Sequence, residues 1–459
     1  MGDQKISGMT PAIALGATDI LPIIQSATNK TITAALLSDY ATASLGAYGV
    51  RWDTTASASA VTRIGNTTNH MLLPVQSLMR RCLLSDDGAT VTYLMATDST
   101  KDLAGNAIAL DGSAGQVMVE IPDFWYKSWS DGNYKNLLIS HVAITGYTKI
   151  SKHYVGAFKA SLQRSTSKLA SVINLTTDYR GGANQAAWDA AANTMLGHPV
   201  SSLSLTNFRA YARNRNARYQ AMPFLAHNAI NMLYLVEYAN RNSQLAVNAA
   251  LTAEGYKQGG LGNGVTTVNG TNWSTFNGYN PLIPCGKSVT LGNSSGEVNY
   301  VVAGFTAGDI TVTVNSYRGI ENIFGDISEW SDGILFNLQS AGAGGRSFVH
   351  ICDLPANYAD TITANYRAVG DLGRSDGWIT DIIGGAECIM LPSATGGGST
   401  TYFTDYGYVA GYPGSGSATT GLLISAYANS SVNAGLWFAD TNTTPSYALA
   451  FLGSRLCFF

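Results

Sequence analysis

The side chains in this sequence whose types suit molecular recognition crowd into one stretch. Residues 389–459 hold twelve aromatic side chains and three charged ones, Asp405, Asp440 and Arg455. Between residues 400 and 451, Tyr402, Phe403, Tyr406, Tyr408, Tyr427, Trp437, Phe438 and Tyr447 alternate with Ser, Thr, Asn and Gly. Large rigid rings bury contact area at small entropic cost, while Ser and Asn add adaptable hydrogen bonds; antibody loops have this composition. General acid–base catalysis needs titratable groups held against a substrate. The 400–451 stretch offers two carboxylates and no His or Lys. Binding is the chemistry expected of it. Phe451, Phe458 and Phe459 are expected among the core, because strand side chains alternate between faces.

Other residue sets could do chemistry and are read as scaffold. Asp326, Glu329 and Asp332 could supply the two carboxylates of a glycosidase, but their glycine-flanked setting at 325–333 has the structural reading given below. Gly286-Lys287-Ser288 looks like the end of a phosphate loop, yet position 281, where the first glycine belongs, is Pro281; a plain turn is expected. Gly260, Gly262 and Gly264 follow no β-strand pattern and read as a loop. The six histidines, His70, His141, His153, His198, His227 and His350, show no i, i+4 pair and none adjoins a Cys, so no metal site is expected. No Ser-His-Asp set stands out. The five cysteines, Cys82, Cys285, Cys352, Cys388 and Cys457, contain no C-x-x-C and are expected as buried apolar thiols. No cofactor is implied.

These residues must be positioned by a chain long enough for about three domains. Charged residues make up 12% of the 459 and hydrophobic ones 46%. The hydrophobic share supports a large core and excludes disorder, and the low charge implies a mostly neutral, polar exterior. Net charge is −3 with no basic stripe, which speaks against nucleic acid. No apolar run reaches about 18 residues, so no membrane insertion is expected. Asp3 and Asp19 interrupt what would be the apolar core of a secretory signal, and the first cysteine, Cys82, is too far along for an N-terminal lipid anchor.

The elements expected are those of an α+β fold. Residues 1–44 include an apolar run at 19–24, a β-branched Lys30-Thr31-Ile32-Thr33 and a short helix over 34–40. Such a segment is too small to hold a core alone and should dock onto a partner or its own copies. Residues 45–119 read as a small β domain, with short strands near 50–55, 71–73, 91–96 and 117–121. The turn signals Asp86-Asp87-Gly88 and Asp111-Gly112-Ser113 separate them. Residues 121–126 and 151–158 read as strands with aromatic faces. Ser204 is expected to cap a helix over 205–214 carrying Phe208 and Tyr211, and Pro223 to open a second helix reaching about 242, with Ile230, Leu233, Tyr234 and Glu237 at helical spacing. Beyond 257, short β runs dominate.

Tyr317-Arg318-Gly319-Ile320-Glu321-Asn322-Ile323-Phe324-Gly325-Asp326-Ile327-Ser328-Glu329-Trp330 resembles the core of the formylglycine-generating-enzyme-like branch of the C-type lectin fold. In that family the Trp of the Glu-Trp pair packs in the core and the Glu ties loop backbone. Met222-Pro223 with Glu237-Tyr238-Ala239 looks like the family's second helix. Tyr154-Val155-Gly156-Ala157-Phe158 looks like its first strand, and Gly453-Ser454-Arg455-Leu456-Cys457 like its last, with Ser454 in place of Phe. The resemblance covers residues 120–459. The cysteine pair needed for oxidase activity has no match, and Trp330-Ser331-Asp332 matches only part of the lectin calcium pattern. Neither oxidase activity nor a calcium site is implied.

Gly435-Leu436-Trp437-Phe438, followed by Asp440, Asn442, Thr443, Ser446, Tyr447, Leu449 and Phe451 and closed by Gly453-Ser454-Arg455, resembles the variable region of diversity-generating retroelement target proteins such as phage tropism determinants. The segment 17–25 with Lys30-Thr31-Ile32-Thr33 resembles the attaching end of phage tail fibre proteins, which are commonly trimers. The resemblance implies three parts. Residues 1–44 would attach to the phage tail or baseplate and trimerise, 45–119 would form the small β domain, and 120–459 would form a C-type lectin-like receptor-binding domain with its variable-type region at about 400–451. The implied protein is a non-enzymatic, homotrimeric tail fibre tip of the virion that binds a bacterial cell-surface receptor, whether protein or glycan. A tail-associated glycan depolymerase and a bacterial surface adhesin are the alternatives. The expected contact residues are Tyr402, Phe403, Asp405, Tyr406, Tyr408, Tyr427, Asn429, Trp437, Phe438, Asp440, Asn442, Thr443, Tyr447 and Leu449, projecting to one outer face.

Overall fold

The structure is a computed structural model and describes residues 20–25, 28–33, 46–190, 194–247, 280, 282–302 and 309–459. The helix expected over 34–40 and the Gly260, Gly262 and Gly264 cluster lie outside the described residues. β-Structure dominates, arranged in several sheets with a few helices, a β-rich α+β fold.

Near the N-terminus, Ile20–Gln25 and Thr28–Thr33 pair as an antiparallel hairpin. A five-stranded sheet runs in the order Thr148–Ile150, Phe124–Asp131, Tyr134–Ser140, Ala47–Asp53, Thr62–Gly65. A seven-stranded sheet runs Tyr219–Ala221, Arg455–Phe458, His153–Lys159, Gln116–Ile121, Arg80–Leu84, Val91–Met95, Asp98–Asp102. The boundary expected near 120 therefore does not separate the sheets. Ala47–Asp53 pairs with Tyr134–Ser140, and Gln116–Ile121 with His153–Lys159. Strands of 45–119 find their partners well along the chain, a choice that local sequence pattern does not encode.

The largest sheet is built around Ser328–Gln339, flanked by Ser347–Ile351 and Ser417–Ile424. The register against Ser417–Ile424 shifts between Ser331 and Phe336. Gly333 sits at this irregularity with φ +76, and a Cβ there would lie 2.5 Å from the Tyr358 ring, so only glycine fits.

Local signals account for the helices. Ser204 caps Leu205–Arg213 by accepting the Asn207 N–H, as the sequence suggests. Phe224–Tyr238 is buried on almost every side, the pattern of a helix inside a core, and it packs against both the five-stranded and the largest sheet. It stops at Ala239, which adopts φ +51, short of the expected 242. The chain turns there because Asn240 bridges Ala60 and the Arg241 N–H reaches the Ser59 carbonyl at 2.7 Å. The strand expected near 71–73 is instead the end of helix Thr67–Leu72, which Asn66 caps through the Asn69 N–H. The strand expected over 121–126 is broken at Pro122 and Asp123 into Gln116–Ile121 and Phe124–Asp131. Among the described residues no helix is long and apolar enough to cross a membrane.

Candidate binding cleft

The cleft rests on a buried ionic core. Trp330 has no exposed surface. The adjacent Glu329 carboxylate holds Lys159 Nζ and an Arg455 Nη, each at 3.0 Å, with all three side chains 2% exposed or less. Burial pushes the Glu329 carboxyl up, but Arg455 and Lys159 outweigh it and hold it below the ordinary carboxylate range. The two cations carry the contact onward to backbone. Lys159 donates to the Ile327 carbonyl at 2.7 Å, and Arg455 to those of Gly156, Glu321 and Asn322 at 2.9 to 3.2 Å. Glu329 thus reaches loop backbone through two side chains rather than directly. Ser454 Oγ donates to the Trp330 carbonyl at 3.0 Å.

The neighbouring carboxylates do not converge on a common point. Asp332 binds Arg209 through two hydrogen bonds of 2.7 and 2.9 Å. Asp326 accepts the Ile283 N–H at 3.2 Å, and burial pushes it up to about 7. The Gly286-Lys287-Ser288 turn encloses an internal anion. The N–H groups of Gly286 and Ser288 donate to the Glu321 carboxylate at 2.9 and 2.6 Å. His153, His198 and His227 are buried and pushed down to about 4 by that burial. All five cysteines are buried and free, and among the described residues no group of three or more His, Cys, Asp or Glu is placed to hold a metal.

Seven of the fourteen expected contact residues meet in one open cleft of about 390 Å³. Tyr408, Tyr427, Phe438, Asp440, Thr443, Tyr447 and Leu449 line it. Tyr447 and Leu449 are 52% and 38% exposed. Phe438 stands edge-on to Tyr408 at 5.8 Å between centroids, and Tyr427 stacks on Phe451 at 4.2 Å. Asn433 donates to the Tyr408 hydroxyl at 3.1 Å. Asp440 is the only carboxylate among the lining residues, with no Lys, Arg or His beside it. Burial, aided by Asp376, pushes it up to about 6 against the Asn442 N–H held at 2.9 Å.

Three expected contact residues are core instead, and Phe438, though it lines the cleft, is also buried at 3% exposure, packed with Ala426 and Ala434. Phe403, Asp405 and Trp437 are 0%, 0% and 1% exposed. The Trp437 N–H donates to the Asp405 carboxylate at 2.8 Å, and Trp437 Nε1 donates to the Arg241 carbonyl at 2.7 Å. Gly435 must remain small, since a Cβ there would meet the Asp405 carboxylate at 2.0 Å. Asn442 spends its side chain on the loop, its Oδ1 accepting the Gly411 N–H at 2.8 Å. Half-buried Tyr406 packs against Tyr408 and Trp378. Tyr402 lies toward Arg241, 5.7 Å from its guanidinium. The Asn429 side chain is outside the described residues.

The sequence reading missed Ser328, Leu423, Ser430, Asn433, Phe451 and Leu452, which complete the wall. Phe451, expected in the core, is half-buried here, and its aromatic character so close to Tyr447 was the available signal. Phe458 is core, while Phe459 stacks on His153 at 5.2 Å. The chain matches no protein-family profile, and the search of curated proteins finds no match.

Proposed function

We propose that this protein is the receptor-binding protein of a phage tail fibre. In this reading it is a virion tail fibre tip and a homotrimer, attached to the tail or baseplate through residues 1–44. It contacts a bacterial surface receptor through the 408–452 cleft and is not an enzyme. The observation that carries the reading is the make-up of the cleft: aromatic walls, neutral hydrogen-bonding groups and a single carboxylate, nearly all from one short stretch of chain. Such a surface buries area and accepts hydrogen bonds, and it lacks a second carboxylate to pair with Asp440 for acid–base work.

A C-type lectin-like scaffold is part of the proposal. The segments resembling that family's first and last strands, His153–Lys159 and Arg455–Phe458, pair antiparallel, and two helices follow the first. Buried Trp330 and the Glu329 ion cluster are in keeping with the scaffold role that the resemblance gives them. The proposal includes a cleft that is the diversified surface of a retroelement target, with Gly435 and the 452–455 stretch fixed beneath it.

Incubating the purified protein with host cells and with their surface polysaccharide tests the reading. Retention without chain shortening is the expected result. Shortening of the polysaccharide would establish a depolymerase, and failure of the protein to adsorb to any host would overturn receptor binding. A reverse transcriptase gene beside this one, with a near-repeat of its 3′ end, is the expected sign of diversification.

A further inference from the structure

Asp440 carries the only charge on the cleft wall, and its side chain is part-exposed there. Its strand, Ala439–Asp440, lies between Ser417–Ile424 and Tyr406–Tyr408. Leu423 and Tyr408 are its register partners on the two sides, so the three side chains leave one face of the sheet next to one another. All three line the cleft. The arrangement is set by strand pairing and not by composition alone.

The carboxylate lacks a counter-charge. Its Oδ1 accepts the Asn442 N–H at 2.9 Å. The charge that acts on it is that of Asp376, of like sign, and no Lys, Arg or His lines the cleft to offset it. A part-buried charge without a partner is costly. An anionic ligand would set a second negative charge beside Asp440 and is disfavoured. An ammonium group on the ligand would supply the missing partner, and aromatic walls favour a cation over an anion.

The rest of the lining suits a sugar. Ser430 Oγ accepts the Tyr427 N–H at 3.3 Å and keeps its own hydrogen to donate. Asn433 donates to the Tyr408 hydroxyl at 3.1 Å, which leaves the hydroxyl hydrogen to donate onward. Half-exposed Tyr447 and the Tyr427 ring, stacked on Phe451, offer flat apolar surface. A volume of about 390 Å³ is at the small end of the range for small-molecule sites. We infer that the cleft binds an amino sugar of the receptor, its free ammonium group on Asp440 and its hydroxyls toward Ser430, Asn433 and Tyr408. The inference rests on the receptor-binding reading above and adds to it the chemistry of the ligand.

Calorimetric titration of the full chain at neutral pH with glucosamine, N-acetylglucosamine, glucuronate and methylamine tests it. Glucosamine should bind at least about tenfold more tightly than N-acetylglucosamine, the loss expected when a charge-assisted hydrogen bond is removed. It should also bind more tightly than methylamine, which has the charge without the sugar. Asp440→Asn keeps an acceptor for the Asn442 N–H and removes the charge, so the two sugars should bind it with similar affinity at an unchanged melting temperature. If that variant unfolds, the parent's ranking of the four ligands still decides the matter. N-acetylglucosamine, methylamine or glucuronate binding as tightly as glucosamine, or no heat at millimolar glucosamine, would each overturn the assignment. Adsorption to host cells that persists in excess glucosamine would refute the amino sugar and leave receptor binding standing. Glucosamine bound as expected by a protein that adsorbs to no host would keep the ligand and refute its receptor role.

Discussion

The Trp437 backbone N–H donates to the Asp405 carboxylate at 2.8 Å, with both side chains buried in the core. Ser243 Oγ donates to the same carboxylate at 2.9 Å. The aromatic ring at 437 also stands edge-on to Phe403 and Tyr234, at 5.9 and 6.2 Å. Trp437→Ser should therefore cost about 3–5 kcal/mol of stability, as for other large buried aromatics. Denaturant unfolding of parent and variant measures this. A variant as stable as the parent would place Trp437 outside the core.

Tyr447 is half exposed at the cleft mouth. Tyr447→Ser should leave stability within about ±0.5 kcal/mol, as at surface sites generally. Host adsorption should fall by more than tenfold, on the scale of about 2 kcal/mol for an interface anchor. Thermal melts alongside adsorption assays separate the two effects, and normal adsorption would move the binding surface elsewhere.

Neutralising Glu329, the carboxylate shared by Lys159 and Arg455, leaves two buried cations facing each other. Glu329→Gln should destabilise the fold by about 3–5 kcal/mol, read as a lowered denaturation midpoint at an unchanged slope.

Asp326 carries a pH signature. Its carboxyl is pushed from the ordinary 3.8 up to about 7, chiefly by burial, with Lys159 and the Ile283 N–H opposing. A folded-state value above the unfolded one means the folded state holds the proton more tightly. Stability from this group is fully present below about pH 4 and is lost as pH rises toward 7. The scale is a few kcal/mol, at about 1.4 kcal/mol per pKa unit. Asp326→Asn removes that dependence, so the variant should gain on the parent between pH 5 and pH 8 in paired unfolding curves. A difference that stays constant with pH would refute the assignment.

Trimerisation should appear in light scattering of the full chain at micromolar concentration as three times the monomer mass. Three linked copies of one cleft would raise avidity by about 10²–10⁴ over a single copy. A monomer would remove that gain.

What the sequence made legible was local. Ser204 and Pro223 mark helix starts because capping and proline geometry act within a turn. Aromatic crowding near 400–451 marked the cleft because composition survives without knowledge of the fold. Two things were hidden. Ala47–Asp53 and Gln116–Ile121 pair with strands beyond residue 120 while their neighbours pair locally, so two sheets run across that point of the chain. In the cleft segment the chain is mostly short strands and loops, with no period to tell inward from outward. Trp437 and Phe438 are adjacent aromatics and both are buried, yet one packs in the main core and the other against the floor of the cleft. Asp405 looked like a polar contact because nothing in its neighbours announces the buried Trp437 N–H and Ser243 hydroxyl that hold it.

The strand Arg455–Phe458 lies between His153–Lys159 and Tyr219–Ala221 in its sheet, and Arg455 supplies part of the ion cluster. It follows the cleft segment in the chain. An in-frame substitution at Tyr447 or Leu449 alters one wall of the cleft and leaves this strand intact, whereas a frameshift or early stop upstream of it deletes an interior strand of the seven-stranded sheet. Cleft wall and closing strand are thus coupled through the reading frame: losing the frame in the first removes Arg455, and with it half of the positive charge around Glu329.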